Sequence, residues 1–538
     1  MSSGNATSAA PVAGLNPAGS RVRTDSLATS LVFLFCLSAV QPLVSFGRGV
    51  LFCRTLSPAD LGAWDLALGF LTLAATVVVI GIPGSFGRYV EQYRQRGQLT
   101  IFLRRTTLAC AGLTGVALVL LTIAAPQFSS IIFGRPDRAL WVYYVAAALG
   151  TLIVFGFVVE LLTALRLFRV VSGLQLTKSI GFVVLALVLL FAWEAGPPSI
   201  IVGHALATLV AVAIALRWLI PAYRHESSDA AEEDDDDDEA VDSRFASEGQ
   251  HEVAAAGSTS VWTFWAKLMP FAAWIWIANF LSHLFAIIDR YMLVHFSGLE
   301  SEIALTQVGH YHSSRIVPLL SISFASMLAS VLLPHLTKDW ERGRRDDVTA
   351  NLNLAVKLLS LGLTFAGTAL LALAPQLFEY GFGGRYDGGL VVLPWTLIYC
   401  IWFSIFLLGD LYLCCTERVR LISIALAGGL FVNVVLNLLL LPHFGLLGAV
   451  WATAASKAVV LLATFLFARA FGMSFDRGTW ICLALPLCLC LGAWPALAVI
   501  LVFAIGLIAS DLILGEDEKR HLLELGRRQL AGVMARHS

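Results

Sequence analysis

The sequence contains few charged residues for its length. Only 14% of its 538 residues are Asp, Glu, Lys or Arg, whereas 58% are hydrophobic, and the mean hydropathy is +0.79. Soluble domains average about 25% charged residues. Because no water-soluble fold of this size can bury so much apolar surface, part of the solvent must be lipid. The formal net charge is -1 and no basic face with interleaved aromatic residues occurs, so no nucleic-acid partner is predicted.

The sequence also lacks the motifs of an enzyme. Its nine cysteines fit neither a zinc site nor a disulfide framework, and most of them lie in apolar runs, as small core residues do. The histidines are scattered, the glycine-rich segment 381–389 falls in a predicted outside loop, and no phosphate-binding Walker pattern is present. We therefore predict a protein that is not an enzyme, holds no cofactor or metal ion and does not use ATP.

Long apolar runs are abundant instead. About 20 mostly apolar residues cross a bilayer core. Twelve spans are predicted on that scale, near 30–50, 62–83, 106–125, 139–162, 174–193, 198–220, 266–288, 306–333, 351–373, 388–410, 420–441 and 446–470. The stretch 478–514 is too long for one helix, and Trp494-Pro495 is predicted to divide it in two. The predicted fold class is all-α integral membrane, with about 14 transmembrane helices.

Lysine and arginine residues concentrate in alternate connections, a bias that marks the cytoplasmic loops of membrane proteins. With the N-terminus inside, the inside connections hold most of them, including Arg166, Arg169 and Lys178, which predicts that both termini are cytoplasmic. The longest loop contains the acidic run 232–239. Like charges this dense stay solvated, so the loop is either a flexible linker or a regulatory or partner-binding segment.

Short sequence matches recur in order at an offset of about 245–249 residues. Gly62-Ala63-Trp64 is echoed by Gly309-His310-Tyr311, and Ala125-Pro126-Gln127 by Ala374-Pro375-Gln376. Six spans separate the members of each pair, so the repeat is parallel, with a pseudo-two-fold axis along the membrane normal. The predicted parts are a flexible cytoplasmic N-terminus at 1–29, an N-lobe at 30–220, an acidic cytoplasmic linker at 221–260, a C-lobe at 261–471, extra spans at 478–514 and a cytoplasmic tail at 515–538.

Six short motifs occur in order along spans one to twelve. They read RTLSPADLG at 54–62, RYVEQY at 88–93, IDRYML at 288–293, VGHY at 308–311, LPHL at 333–336, and a stretch from Asn437 to Gly448. With the two parallel lobes, they make the chain resemble the multidrug/oligosaccharidyl-lipid/polysaccharide exporter superfamily, and within it the polysaccharide-biosynthesis flippases. Drug and cation antiporters of that superfamily commonly carry an acid midway along the first helix, whereas 36–42 contains none.

The resemblance implies a secondary flippase. It would move a polyprenyl-diphosphate-linked oligosaccharide (a polysaccharide, O-antigen or exopolysaccharide unit) from the cytoplasmic to the outer leaflet by alternating access. It also implies a bacterial inner membrane, contact with membrane lipid, and a polysaccharide polymerase or glycosyltransferases as partners. A drug or cation antiporter is the alternative. A membrane glycan polymerase is disfavoured because the outside connections are short.

Four cations are predicted at bilayer depth, where an ionisable side chain costs about 2.5–3.5 kcal/mol. Lys457 lies near the middle of span twelve, and Arg315 lies two to three turns inside span eight. Both are predicted to bind the diphosphate in a cavity; Lys457 alternatively pairs with an acid or with helix carbonyls. Arg290 and Arg48, at the outer ends of spans seven and one, either contact the substrate or extend to the interface. No charged residue occupies the repeat-related position of Lys457 or Arg315, which predicts an asymmetric cavity.

Four acids are assigned to coupling or gating. Glu160 and Asp410 occupy repeat-related positions near the inner ends of spans four and ten. They would close a cytoplasmic gate or carry a coupling proton, unless they are simply interfacial carboxylates. Asp289 would neutralise the adjacent Arg290, and Asp65 would favour the N-terminus of span two electrostatically.

Overall fold

The computed structural model describes residues 27–232 and 261–509, together with Gly515 and Lys519. Within these residues the chain forms sixteen α-helices and no β-strand, which confirms the all-α fold class. The helices are α1 (Leu27–Thr55), α2 (Pro58–Val78), α3 (Phe86–Gln95), α4 (Leu99–Ile123), α5 (Ala125–Phe133), α6 (Ala139–Ala164), α7 (Phe168–Ala192), α8 (Pro197–Glu232), α9 (Val261–Phe296), α10 (Ser301–Arg315), α11 (Leu319–Glu341), α12 (Arg345–Gln376), α13 (Asp387–Cys415), α14 (Val419–Ala470), α15 (Arg477–Ala484) and α16 (Ala493–Ala509).

Ten helices in the described part of the chain are long and apolar enough to cross a membrane, so this is a multi-pass membrane protein. The helix α14 contains two of the predicted spans. It is interrupted at Gly445, whose φ of 53 and ψ of -130 lie in a region that essentially only glycine adopts. The helix is kinked there, between the predicted spans eleven and twelve.

Two interruptions differ from the sequence prediction. Span eight is not continuous, because α10 ends at Arg315 and α11 begins after Pro318, whose ring removes a backbone donor and disfavours an unbroken helix. In the C-terminal region the break falls at Gly492, with φ 93, and not at Trp494-Pro495. Pro495 lies in the first turn of α16, where a missing amide hydrogen costs nothing.

The helix α8 continues to Glu232, into the segment predicted as an acidic linker. The remainder of that segment, 233–260, lies outside the described residues, as do residues 1–26 and most of the predicted tail. The predicted roles of these segments therefore remain predictions.

The two lobes meet where α2 packs against α10. A Cβ atom at Gly62 would lie 2.0 Å from the carbonyl oxygen of Leu305, and one at Gly309 would lie 1.9 Å from that of Pro58. Real Cβ atoms are essentially never closer than 3.0 Å, so glycine is required at both positions. Gly62 and Gly309 are the first residues of one of the matched repeat pairs, and the repeat-related helices thus pack directly against each other across the lobe boundary.

Candidate substrate cavity and buried charges

A cavity of about 710 Å³ lies between the lobes. Its walls come from α1 and α2 on one side and from α10 and α11 on the other. Ser323, Ser326 and Ser330 on α11 follow the three- and four-residue spacing of a single helix face, so they present a row of hydroxyl groups to the cavity. Among the residues that line it, Arg48 is the one Lys, Arg, Asp or Glu, and Phe52 and Trp64 supply aromatic surface. The wall therefore combines hydroxyl groups, apolar rings and one guanidinium group.

A buried carboxylate holds three cationic or potentially cationic side chains together. Asp65 on α2 is 4% exposed and accepts a hydrogen bond of 2.8 Å from Nη1 of Arg290 on α9. The oxygen that accepts this bond, Oδ2, is also 3.9 Å from Nη1 of Arg315, and the other oxygen, Oδ1, is 2.8 Å from Nδ1 of His312. These contacts join α2 of the N-lobe to α9 and α10 of the C-lobe. The charges of Arg290 and Arg315 are thus offset within the protein.

This arrangement changes the interpretation of two predicted residues. Arg290 does not extend to the membrane interface, because its side chain is 5% exposed and ion-paired with Asp65. Asp65 does not act mainly on the N-terminus of α2, because it lies in the second turn and faces the other lobe. The two residues are 225 positions apart in the chain, so no local pattern could have paired them.

Asp289 forms a second polar cluster with residues of the C-lobe. Its Oδ2 accepts hydrogen bonds from the hydroxyl groups of Tyr311 at 2.7 Å and Thr453 at 3.1 Å. Its Oδ1 accepts one from the backbone amide of Arg290 at 2.8 Å and is 3.8 Å from Nε of that residue. Asn433 donates to Thr453 at 3.3 Å. Asp289 therefore does more than neutralise Arg290, because it links α9, α10 and α14.

The remaining predicted residues lie apart from these clusters. Lys457 places its ammonium group 3.7 Å from the ring centre of Phe285 and 4.0 Å from that of Phe403, and it does not line the cavity. Glu160 is exposed on α6 and Asp410 is half-buried on α13. Neither carboxylate forms an ion pair with any residue that the structure describes, so their gating role remains a prediction.

Contacts that the sequence did not predict close the end of the bundle that is expected to face outward. Glu302, in the first turn of α10, accepts a hydrogen bond of 2.6 Å from Nη2 of Arg138 and another from Arg135. The hydroxyl group of Tyr386 donates to the carbonyl oxygen of Leu56 at 3.1 Å. Each contact joins the N-lobe to the C-lobe. Arg135 and Arg138 are among the few cations in the predicted outside connections. Their presence there is the feature of the sequence that could have indicated these contacts.

Residues 27–340, more than half of the chain, match the model of a family described as Polysaccharide biosynthesis protein. The chain belongs to this family. The finding confirms the resemblance drawn from the six motifs. No curated protein matches the sequence.

Solved structures of transporters share the fold of this polysaccharide biosynthesis family member. A structure titled "Lipid II flippase MurJ, inward closed conformation" is 13% identical, covers 90% of this chain and 100% of its own, and superposes with a TM-score of 0.64. An inward-facing multidrug resistance MATE family transporter of the MOP superfamily is 13% identical, with coverage of 82% and 98% and a TM-score of 0.56. An outward-facing MATE family transporter is 15% identical, with coverage of 82% and 95% and a TM-score of 0.52. At such identities the likeness shows the fold alone, and that fold is shared by flippases and transporters.

Proposed function

We propose that this chain is a secondary flippase that moves a polyprenyl-diphosphate-linked oligosaccharide from the cytoplasmic to the outer leaflet of a bacterial inner membrane. The observation that carries the proposal is the cavity between the lobes. It places a guanidinium group, a row of hydroxyl groups and aromatic surface within one space of about 710 Å³. These are the three kinds of surface that a diphosphate, a glycan and the start of a polyprenyl chain need.

The chemistry of each group fits one part of the substrate. The planar guanidinium of Arg48 matches phosphate oxygens, and charge-assisted hydrogen bonds to phosphate are the stronger kind. Ser326 can donate to and accept from sugar hydroxyls, whereas Ser323 and Ser330 donate to carbonyl oxygens of their own helix and can accept from the sugar. Leu43 on α1 is 62% exposed, and Phe324 on α11 is 50% exposed. Exposed apolar residues beside the cavity suit a lipid tail that stays in the bilayer.

The lobe contacts suit alternating access around this cavity. Glu302 and Tyr386 hold the expected outer end closed, and outward release requires these contacts to separate. Asp289 is our candidate for coupling this movement to an ion or proton gradient. It is a buried carboxylate whose hydrogen-bond partners come from three helices, so a change in its charge alters all of those contacts together.

A drug or cation antiporter is the second candidate, favoured by the fold shared with MATE transporters. Two observations weigh against it. The charged residue on the cavity wall is Arg48, which repels cations, and the buried Asp65 is already bonded to Arg290 and His312. A cationic drug would therefore meet no carboxylate among the residues that line the cavity.

Reconstituted proteoliposomes test the proposal. The substrate is a short polyprenyl diphosphate that carries a disaccharide, and a membrane-impermeant lectin detects its appearance in the opposite leaflet. The matched control substrate is the same disaccharide on an uncharged polyprenol. We expect transport of the diphosphate only. Transport of a quaternary ammonium dye without transport of the glycolipid would refute the proposal and favour the antiporter.

A further inference from the structure

Two cations of the N-lobe near the cavity have no carboxylate partner among the described residues. Arg48 on α1 and Lys178 on α7 form no salt bridge with any described residue, whereas Arg290 and Arg315 in the C-lobe both contact Asp65. The distribution of lysine and arginine predicts Lys178 in an inside loop. The helix α7 begins at Phe168, so Lys178 lies about three turns inside it. Among the residues that line the cavity, the cation without a carboxylate partner is therefore Arg48 of the N-lobe, whereas the sequence predicted the C-lobe residues Lys457 and Arg315.

Aromatic contacts bring these two cations together with a buried histidine. The guanidinium carbon of Arg48 is 4.9 Å from the ring centre of Phe182, and the ring of His204 is 5.1 Å from that same ring. Lys178 precedes Phe182 by four residues, so both lie on one face of α7. The charges of Lys178 and Arg48 act on each other and on His204. Trp64, a cavity residue, lies 6.1 Å from His204 and connects the group to the cavity.

His204 adds an independent sign of a missing ligand. It is 5% exposed, and its Nδ1 has no hydrogen-bond partner among the described residues. A buried polar atom without a partner is costly, and a water molecule, an ion or a ligand can supply the missing hydrogen bond. Cation–π contacts to Phe182 and Phe155 offset only part of the cost of two unpaired charges at bilayer depth. An anion bound among the three side chains would satisfy all of them.

We infer that Arg48, Lys178 and His204 form the subsite for the diphosphate group of the substrate. The subsite begins at Arg48 on the N-lobe wall of the cavity and extends past Trp64 to Lys178 and His204, which do not themselves line the cavity. The inference rests on the proposed function and names the residues that recognise the diphosphate group of the substrate. Arg48 presents a fork of donors, Lys178 a point charge and His204 a ring N–H, so the three groups together can bond several phosphate oxygens. The ion-paired Arg290 and Arg315 then serve to join the lobes.

Binding of farnesyl diphosphate to the purified full-length protein in detergent tests the inference. Isothermal titration compares the wild type with Arg48→Ala, Lys178→Ala and Lys178→Arg. We expect each alanine variant to weaken binding about tenfold or more, because it removes one charge-assisted contact to the diphosphate. Lys178→Arg keeps a positive charge at that position, so it should retain most of the affinity. Arg88→Ala is the matched control, since Arg88 also lies 4.9 Å from a phenylalanine ring but outside the cavity.

The outcomes separate this inference from the proposed function. Wild-type affinity of Lys178→Ala, or an equal loss in Arg88→Ala, would overturn the N-lobe subsite while leaving the flippase proposal intact. If farnesol binds the wild type as tightly as farnesyl diphosphate, the diphosphate is not recognised and both fail. Displacement of farnesyl diphosphate by inorganic diphosphate from the wild type, but not by phosphatidylglycerol, would support recognition of the diphosphate group over a general lipid headgroup. The reverse result would refute it. A circular-dichroism melt of every variant confirms that the protein is folded.

Discussion

The contact between α2 and α10 gives the sharpest test of alternating access. Gly309→Ala would place a Cβ atom 1.9 Å from the carbonyl oxygen of Pro58, whereas real Cβ atoms essentially never approach a neighbouring atom closer than 3.0 Å. The two backbones must therefore separate by about 1 Å or more at the expected outer end, since closely packed interiors leave no room for the atom. We expect the variant to favour a state in which this end is open.

The size of the effect follows from the cost of overpacking. An extra methyl group in a tight contact costs about 1–3 kcal/mol, and here that cost falls on the closed state alone. A difference of this size changes the ratio of open to closed molecules by about 5- to 150-fold. Cys53 is fully buried near the end of α1, three residues before Leu56, whose carbonyl oxygen is bonded by Tyr386 of the other lobe. Its reaction rate with a maleimide should therefore rise by a comparable factor.

The assay uses a membrane-impermeant maleimide and quantifies the modified Cys53 peptide by mass spectrometry. The matched control is Gly112→Ala, because a Cβ atom there meets nothing within 4 Å. Glu302→Gln is a second variant that removes two ion pairs without adding volume, and it should increase labelling in the same direction. If folded Gly309→Ala labels and transports like the wild type, this contact does not close the outer end and the reasoning is refuted.

Three further predictions concern the buried and peripheral charges. Asp65→Asn should lower the free energy of unfolding by about 3–5 kcal/mol, because Arg290 would stay buried without its nearest counter-charge. If the double variant with Arg290→Gln loses as much stability as the two single variants together, the two residues are not paired. Asp289→Asn should abolish the gradient dependence of transport and change the Kd of farnesyl diphosphate by less than about threefold, because Asp289 lies outside the proposed subsite; unchanged gradient dependence would exclude it as the coupling group. Burial raises the pKa of Asp476, but hydrogen bonds from Lys357 and Thr479 outweigh it and lower the pKa below 3.8. Asp476 therefore stabilises the fold above about pH 3.8 and loses this effect as the pH falls through its lowered value, so Asp476→Asn should reduce the Tm at pH 7 and not in strong acid.

The helices and the repeat could be predicted because each leaves a continuous signal in the sequence. An apolar run that spans a bilayer is visible without any partner, and the match between Gly62 and Gly309 needs only an alignment of the chain with itself. Which buried charges form an ion pair cannot be seen in the sequence in this way. Asp65 and Arg290 are far apart in sequence, and each reads locally as a charge near a helix end. Their ion pair exists only because α2 and α9 are adjacent in space.

Helix boundaries account for the other differences. A start of span five at 174 leaves Lys178 one turn from the helix end, among the loop cations, whereas the observed start at Phe168 puts it nearly three turns inside the helix. Pro318 interrupts a run that composition alone joins, and so it places Arg315 at the end of a helix. Lys457 was correctly placed in mid-helix, but the two phenylalanine rings that contact its ammonium group come from α9 and α13.

The glycine contact also records how such a chain can arise. Gly62 and Gly309 occupy equivalent positions in the two repeats and face each other across the pseudo-two-fold axis. A symmetric homodimer of half-length chains would have the same contact, because the same surface of both subunits meets in such an interface. In that ancestor one glycine codon would have specified both sides of the contact, and one substitution would have disrupted it twice. Fusion of two copies releases this constraint. Each half can then acquire residues of its own, as Lys178 and Arg315 illustrate, while Gly62 and Gly309 stay matched.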